Sequence, residues 1–89
     1  MCERCDAFFK PVPVGTGAAY GEQCGRVQAA VADEILELVD GTAPWPAAGP
    51  RPPTQVRHAF SCTACAQLFI LERGGCSAFG DQWRPLYGN

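Results

Sequence analysis

The stretch HAFSCTACAQLFILE, residues 58–72, places two cysteines with two residues between them amid two apolar runs. Phe60 precedes the pair. After it, Ala66, Leu68 and Ile70 alternate with Gln67, Phe69 and Leu71, which suits a strand buried on both faces; a short buried helix would present the same run. Two residues between cysteines let a tight turn aim both sulfurs at one ion, with turn N–H groups available to hydrogen-bond the thiolates. One pair supplies half of a tetrahedral shell. The matching half lies at the other end of the chain, where MCERC repeats the spacing. Cys2, Cys5, Cys62 and Cys65 together make four thiolate ligands with no open position, the structural type of Zn²⁺ site, although iron takes the same ligand set. Residues 6–61 separate the pairs, an interval longer than is usual for this pattern, but closure entropy grows only logarithmically with loop length.

The surrounding composition favours a metal over other uses of the thiols. A chain of 89 residues supports one hydrophobic core and, at this size, is marginal without a staple. Apolar residues make up 47% of it, too rich for a disordered chain, and no apolar run approaches the roughly 20 residues that cross a bilayer. Glu3, Arg4, Asp6 and Lys10 interrupt the first ten residues, unlike a secretory leader. The expected compartment is the cytoplasm, where thiols stay reduced, so six cysteines are poorly suited to structural disulfides. The formal charge is −2. Arg4, Lys10, Arg26, Arg51, Arg57, Arg73 and Arg84 are scattered, which disfavours nucleic acid unless folding gathers Arg4, Arg57, Arg73 and Arg84 on one face.

Read in order, the chain is expected to be a single α+β domain, 1–89. Residues 1–14 hold the first knuckle and an extended piece in which Phe8 and Phe9 favour strand and Pro11 and Pro13 suit a sheet edge. Residues 18–40 read as a helix. Cys24, Val27, Val31, Ile35 and Leu38 recur at helical steps, and Gly41 stands where a C-cap glycine is expected. Residues 41–54 contain Pro44, Pro46, Pro50, Pro52 and Pro53 and read as a stiff connector, with Trp45 the residue able to dock on the core. Residues 55–89 carry the second knuckle and C-terminal strands, with a turn at Gly74-Gly75 and Phe79, Trp83, Leu86 and Tyr87 in a last strand or packed tail.

MCERC-DAFFK and HAFSCTACAQLFILE resemble a zinc ribbon, in which two knuckle-bearing antiparallel hairpins clasp one ion. The resemblance implies one structural Zn²⁺ on Cys2, Cys5, Cys62 and Cys65, with the amphipathic helix inserted between the knuckles. Ribbon knuckles often carry glycine after the second cysteine; here Asp6 and Ala66 stand there, so the turns must close without it. The segment from Phe60 to the GDQW of residues 80–83 is also similar to small bacterial proteins with a C-terminal zinc knuckle, some of which are immunity proteins against secreted toxins.

The remaining chemistry-bearing residues have plainer readings. Cys24, on the apolar stripe, reads as a small buried hydrophobe; Cys76 reads as packed or exposed, and His58 as a strand residue, although a nucleophilic pair of the two is conceivable. Asp33, Glu37 and Asp40, with Glu22 and Glu34, form the polar side of the expected helix, either a solvated face or a patch for a basic partner. The expected function is non-enzymatic: a zinc-binding module that binds another protein, as an immunity-type protein or adaptor. The alternatives are a nucleic-acid-associated ribbon and a thiol-disulfide oxidoreductase, which would need its Cys-x-x-Cys at a helix N-terminus.

Overall fold

The structure, a computed structural model, describes residues 3, 5–41, 45, 55–74 and 81–86. A 3-10 turn, Asp6–Phe8, leads to strand β1 (Val12–Pro13), helix α1 (Gly17–Ala32) and strands β2 (Leu36–Gly41), β3 (Val56–Cys62), β4 (Leu68–Arg73) and β5 (Gln82–Leu86). The strands form one antiparallel sheet in the order β1-β5-β4-β3-β2. The expected α+β class is therefore what folds, with the hairpins fused into a single five-stranded sheet. β2 to β5 run as a meander, and β1 closes the far edge against β5. Pro13 lies on that edge strand, where its missing N–H breaks no interior ladder.

Because β1 and β2 occupy opposite edges, the segment joining them must cross the sheet. α1 has 16 residues, about 24 Å of helix, against about 19 Å for five strands at their ordinary spacing. Its length matches its task. Thr16 caps it, the side chain accepting from the Ala19 N–H at 3.1 Å. Tyr20, Gln23, Cys24, Val27 and Ala30 form its buried face. Facing them are Val56, His58, Phe60 and Cys62 of β3, Phe69 and Leu71 of β4 and Trp83 of β5. Register sets these on one side of the sheet: Phe60 pairs with Phe69, His58 with Leu71, and Leu71 with Trp83. Arg73 covers the end of the helix face, its guanidinium 5.5 Å from the centre of the Tyr20 ring and donating to the Gly15 carbonyl.

The helix is shorter than its sequence suggests, 17–32 rather than 18–40, and the reason is local. After Ala32 the chain enters a Schellman turn: the Ile35 N–H reaches the Ala30 carbonyl at 2.9 Å and the Glu34 N–H the Val31 carbonyl at 3.1 Å, with Glu34 left-handed at φ 60. Glu34 does what glycine ordinarily does at this position. Ile35 and Leu38 consequently leave the helical stripe, and Leu36 pairs with Cys62, Leu38 with Phe60 and Gly41 with His58, the register shifting between Leu38 and Asp40. Gly41 ends a strand; it caps no helix. The acidic helical face also dissolves, since Glu37 and Asp40 belong to β2 and Asp33 to the turn. Phe8 and Phe9 are likewise not strand: Phe8 closes the 3-10 turn and Phe9 follows it.

The strained Glu34 gives a stability test. A left-handed L-residue costs about 1–2 kcal/mol that glycine does not incur, partly offset by glycine's greater unfolded-state entropy. Glu34→Gly is therefore expected to raise the urea midpoint by an amount equivalent to about 1 kcal/mol; a lower midpoint would contradict this account of the helix end.

Burial gives a second. Desolvation pushes the Tyr20 phenol well above its ordinary 10.0, with Arg73 opposing, and likewise raises the Cys24 thiol. Above pH 10 the unfolded chain releases the tyrosine proton while the folded chain keeps it. The unfolded state then binds fewer protons, so stability falls as pH rises. Denaturant midpoints should decline from pH 10 upward in the wild type and less steeply in Tyr20→Phe.

Candidate metal centre

Sulfurs from both ends of the described chain meet beside the β3–β4 turn. Sγ atoms of Cys5, Cys62 and Cys65 all lie within 4.8 Å of one another, the one such group of metal-ligating side chains among the described residues. Cys5 and Cys65 are 3.6 Å apart, S to S. A disulfide bond would need about 2.05 Å, whereas Zn–S bonds of about 2.3 Å in a tetrahedron set sulfurs about 3.8 Å apart. The spacing thus fits two ligands of one ion. Cys5 and Cys62 are buried and Cys65 exposed, so the centre lies at the surface with its inner side packed.

The second knuckle closes on its own backbone. Ala66 N–H donates to the Cys62 carbonyl at 2.8 Å, Cys62 N–H to the Gln67 carbonyl at 2.9 Å, and Ala64 N–H to the Cys62 sulfur at 3.4 Å. The last of these is the N–H···S contact that stabilises a thiolate ligand. Ala66 is left-handed, φ 64. The chain therefore makes the turn that glycine favours without glycine, and Ala66→Gly is expected to stabilise the protein by about 1 kcal/mol, read as a rise in midpoint with metal content unchanged.

Two further features hold the knuckle in place. Thr63, in the turn between the two cysteines, donates its backbone N–H to the Ile35 carbonyl at 3.0 Å and its hydroxyl to the Glu34 carbonyl. The centre is thereby tied to the end of α1. Gln67 donates from Nε2 to the Leu86 carbonyl at 2.9 Å, tying its exit to β5.

Cys5 arrives by a different route. It precedes the 3-10 turn, the Phe8 N–H bonding its carbonyl at 2.9 Å. Phe8 and Phe9 then pack edge-on against Phe69, and Phe8 also against Trp83. The Trp83 indole N–H donates to the Phe8 carbonyl at 2.9 Å. An aromatic clamp on β4 and β5 thus carries the N-terminal segment to the thiols of the β3–β4 turn. No single motif in the sequence announces it; only the coincidence of FF after the first pair with the aromatic strands could have done so.

Other expected site residues fall as follows. Cys2, the fourth ligand of the sequence reading, lies outside the described residues, as do Cys76, Arg4, Arg51, Gly75, Phe79, Tyr87 and most of the proline connector. Cys24 is buried in α1 away from the sulfur cluster. His58 is buried on β3, where the half-buried Trp45 packs edge-on against it and against Phe60 at 5.0 and 4.9 Å between ring centres. Trp45 does dock on the core. Arg73 is on the helix side of the sheet, whereas register puts Arg57 and Arg84 on the other, Arg57 beside Glu72 at 3.9 Å. No helix among the described residues is long and apolar enough to cross a membrane. No protein-family model matches the chain, nor does any curated protein or solved structure.

Proposed function

We propose that this chain is a non-enzymatic, metal-stabilised module that binds another protein in the cytoplasm, in an immunity-type or adaptor role, with one structural Zn²⁺ held by Cys5, Cys62, Cys65 and Cys2. The observation that carries the metal reading is the convergence of three thiols from segments far apart in sequence within 4.8 Å. Packing that brings thiols together beside a hydrogen-bonded knuckle is what a thiolate site needs and what a reducing compartment would leave undisulfided. Two further observations support this reading, the first against a dithiol oxidoreductase and the second against a nucleic-acid partner. The Cys62–Cys65 pair lies in the turn between two strands, not at the start of a helix, where dithiol oxidoreductases carry theirs. Among the described residues, Arg73 lies on the helix side of the sheet and Arg57 and Arg84 on the other, which divides the strand arginines between two faces rather than gathering them against a phosphate backbone.

The test is elemental analysis with native mass spectrometry. One zinc per chain is expected, released together with thiol reactivity on chelation. Cys2→Ser should lower metal retention; undiminished retention would remove Cys2 from the ligand set, and a metal-free wild type would end the reading altogether.

A further inference from the structure

We propose that the outer edge of β2 is the docking strand of this module and that its occupant is an extended, basic segment of the partner protein. This rests on the protein-binding reading above and gives it a surface. Among the described residues β2 terminates the sheet order on the side away from β1, so on either side of the register shift at Val39 alternate residues direct backbone N–H and C=O groups outward rather than to β3. Five of its six residues are exposed. Two of these are large and apolar, Leu38 at 41% and Val39 at 49%, set between the acidic edge residues Glu37 and Asp40, which deter pairing with a like-charged strand. At its start β2 opens into a groove of about 490 Å³ lined by Val31, Glu34, Leu36, Glu37, Thr63 and Ala64. Val31 and Leu36 supply an apolar wall and Glu34 and Glu37 two carboxylates. That lining suits a lysine or arginine, whose aliphatic stem covers apolar surface while its head meets acid. Strand addition supplies affinity through the main chain and specificity through such side-chain slots.

Charge chooses the occupant. A second copy is disfavoured, because the antiparallel register that overlays the whole strand, Leu36 on Gly41, sets Glu37 opposite Asp40, and like charges facing across a ladder repel. A strand carrying lysine or arginine reverses that sign. Asp40 is partly engaged, its Oδ1 accepting from the Gly41 N–H at 2.9 Å, which leaves Glu34 and Glu37 as the groove's recognition pair.

The experiment titrates the metal-loaded chain with two capped hexapeptides, Val-Lys-Val-Lys-Val-Thr and its counterpart with glutamates for lysines, followed by amide NMR. The basic peptide should shift the amides of residues 36–41 and 63–64, weakening as salt rises, and the acidic one should not. Glu37→Lys should reduce affinity about tenfold or more while zinc content and thermal midpoint stay at wild-type values. Shifts that map elsewhere, equal response to both peptides, no response to either, or concentration-dependent dimerisation through β2 would each overturn the proposal. Zinc content, measured on the same samples, reports separately on the metal reading, so either can fail without the other.

Discussion

Cys62→Ala is expected to abolish metal retention and unfold the β3–β4 hairpin, whereas Cys24→Ser should keep its metal and lose only packing energy. Both cysteines are buried, so burial alone does not separate them. Partners do. Cys62 belongs to the sulfur group and accepts the Ala64 N–H, while Cys24 faces the sheet from the middle of α1. Structural zinc in small domains contributes about 10–16 kcal/mol of apparent free energy, as much as the entire stability of a typical domain, about 5–15 kcal/mol. On the proposed zinc reading, loss of one ligand therefore removes a free energy comparable to the whole reserve of the fold. Chelation of the wild type should reproduce the Cys62→Ala spectrum by circular dichroism, and added zinc should restore the wild type alone. Equal metal loss in the two variants would contradict the assignment.

Trp83→Ala should be the most damaging change outside the thiols. Trp83 is fully buried, stacked on Phe69 at 5.4 Å and packed against Phe60 and Phe8 at 5.8 and 5.9 Å. Truncating such a side chain costs about 3–5 kcal/mol through lost transfer energy and the cavity left behind. It also removes the donor to the Phe8 carbonyl, worth about 1 kcal/mol more. Urea unfolding should show the combined loss. Trp83→Phe separates the two contributions, because it retains most of the ring contacts and loses the hydrogen bond. If Phe8 carries Cys5 to the centre, Trp83→Phe should also weaken zinc retention in competition with a chelator; full retention would show that Cys5 is positioned without the clamp.

The α+β class and the knuckle at Cys62 and Cys65 were legible in the sequence; the end of the helix was not. Cys-x-x-Cys spacing is a local signal, and the knuckle it implies at Cys62 and Cys65 forms with the expected backbone bonds. The apolar run after it gave β4 because Phe69 to Glu72 are buried on both faces, a pattern that survives without periodicity. The proline pair at residues 11 and 13 located an edge. The end of α1 was not legible, for two physical reasons. Glu34 adopts a left-handed conformation that its side chain does not advertise, and EILELVD, residues 34–40, satisfies helical spacing and strand propensity alike. Pairing with β3 decides between them, and that information resides in residues 58–62. The route of Cys5 to the centre was hidden similarly, since it depends on aromatic contacts between residues 8 and 83.

The meander of β2 to β5 has a kinetic consequence. Cys62 and Cys65 are brought together by chain neighbours, so a two-sulfur nest can exist as soon as β3 and β4 zip. Cys5 joins only after the long excursion through α1 has closed, and closures between distant residues are the slow events of folding. The proposed metal should accordingly be captured first by the C-terminal turn and locked in afterwards by the N-terminal arm, which would make the ion a messenger between the early and late stages of assembly.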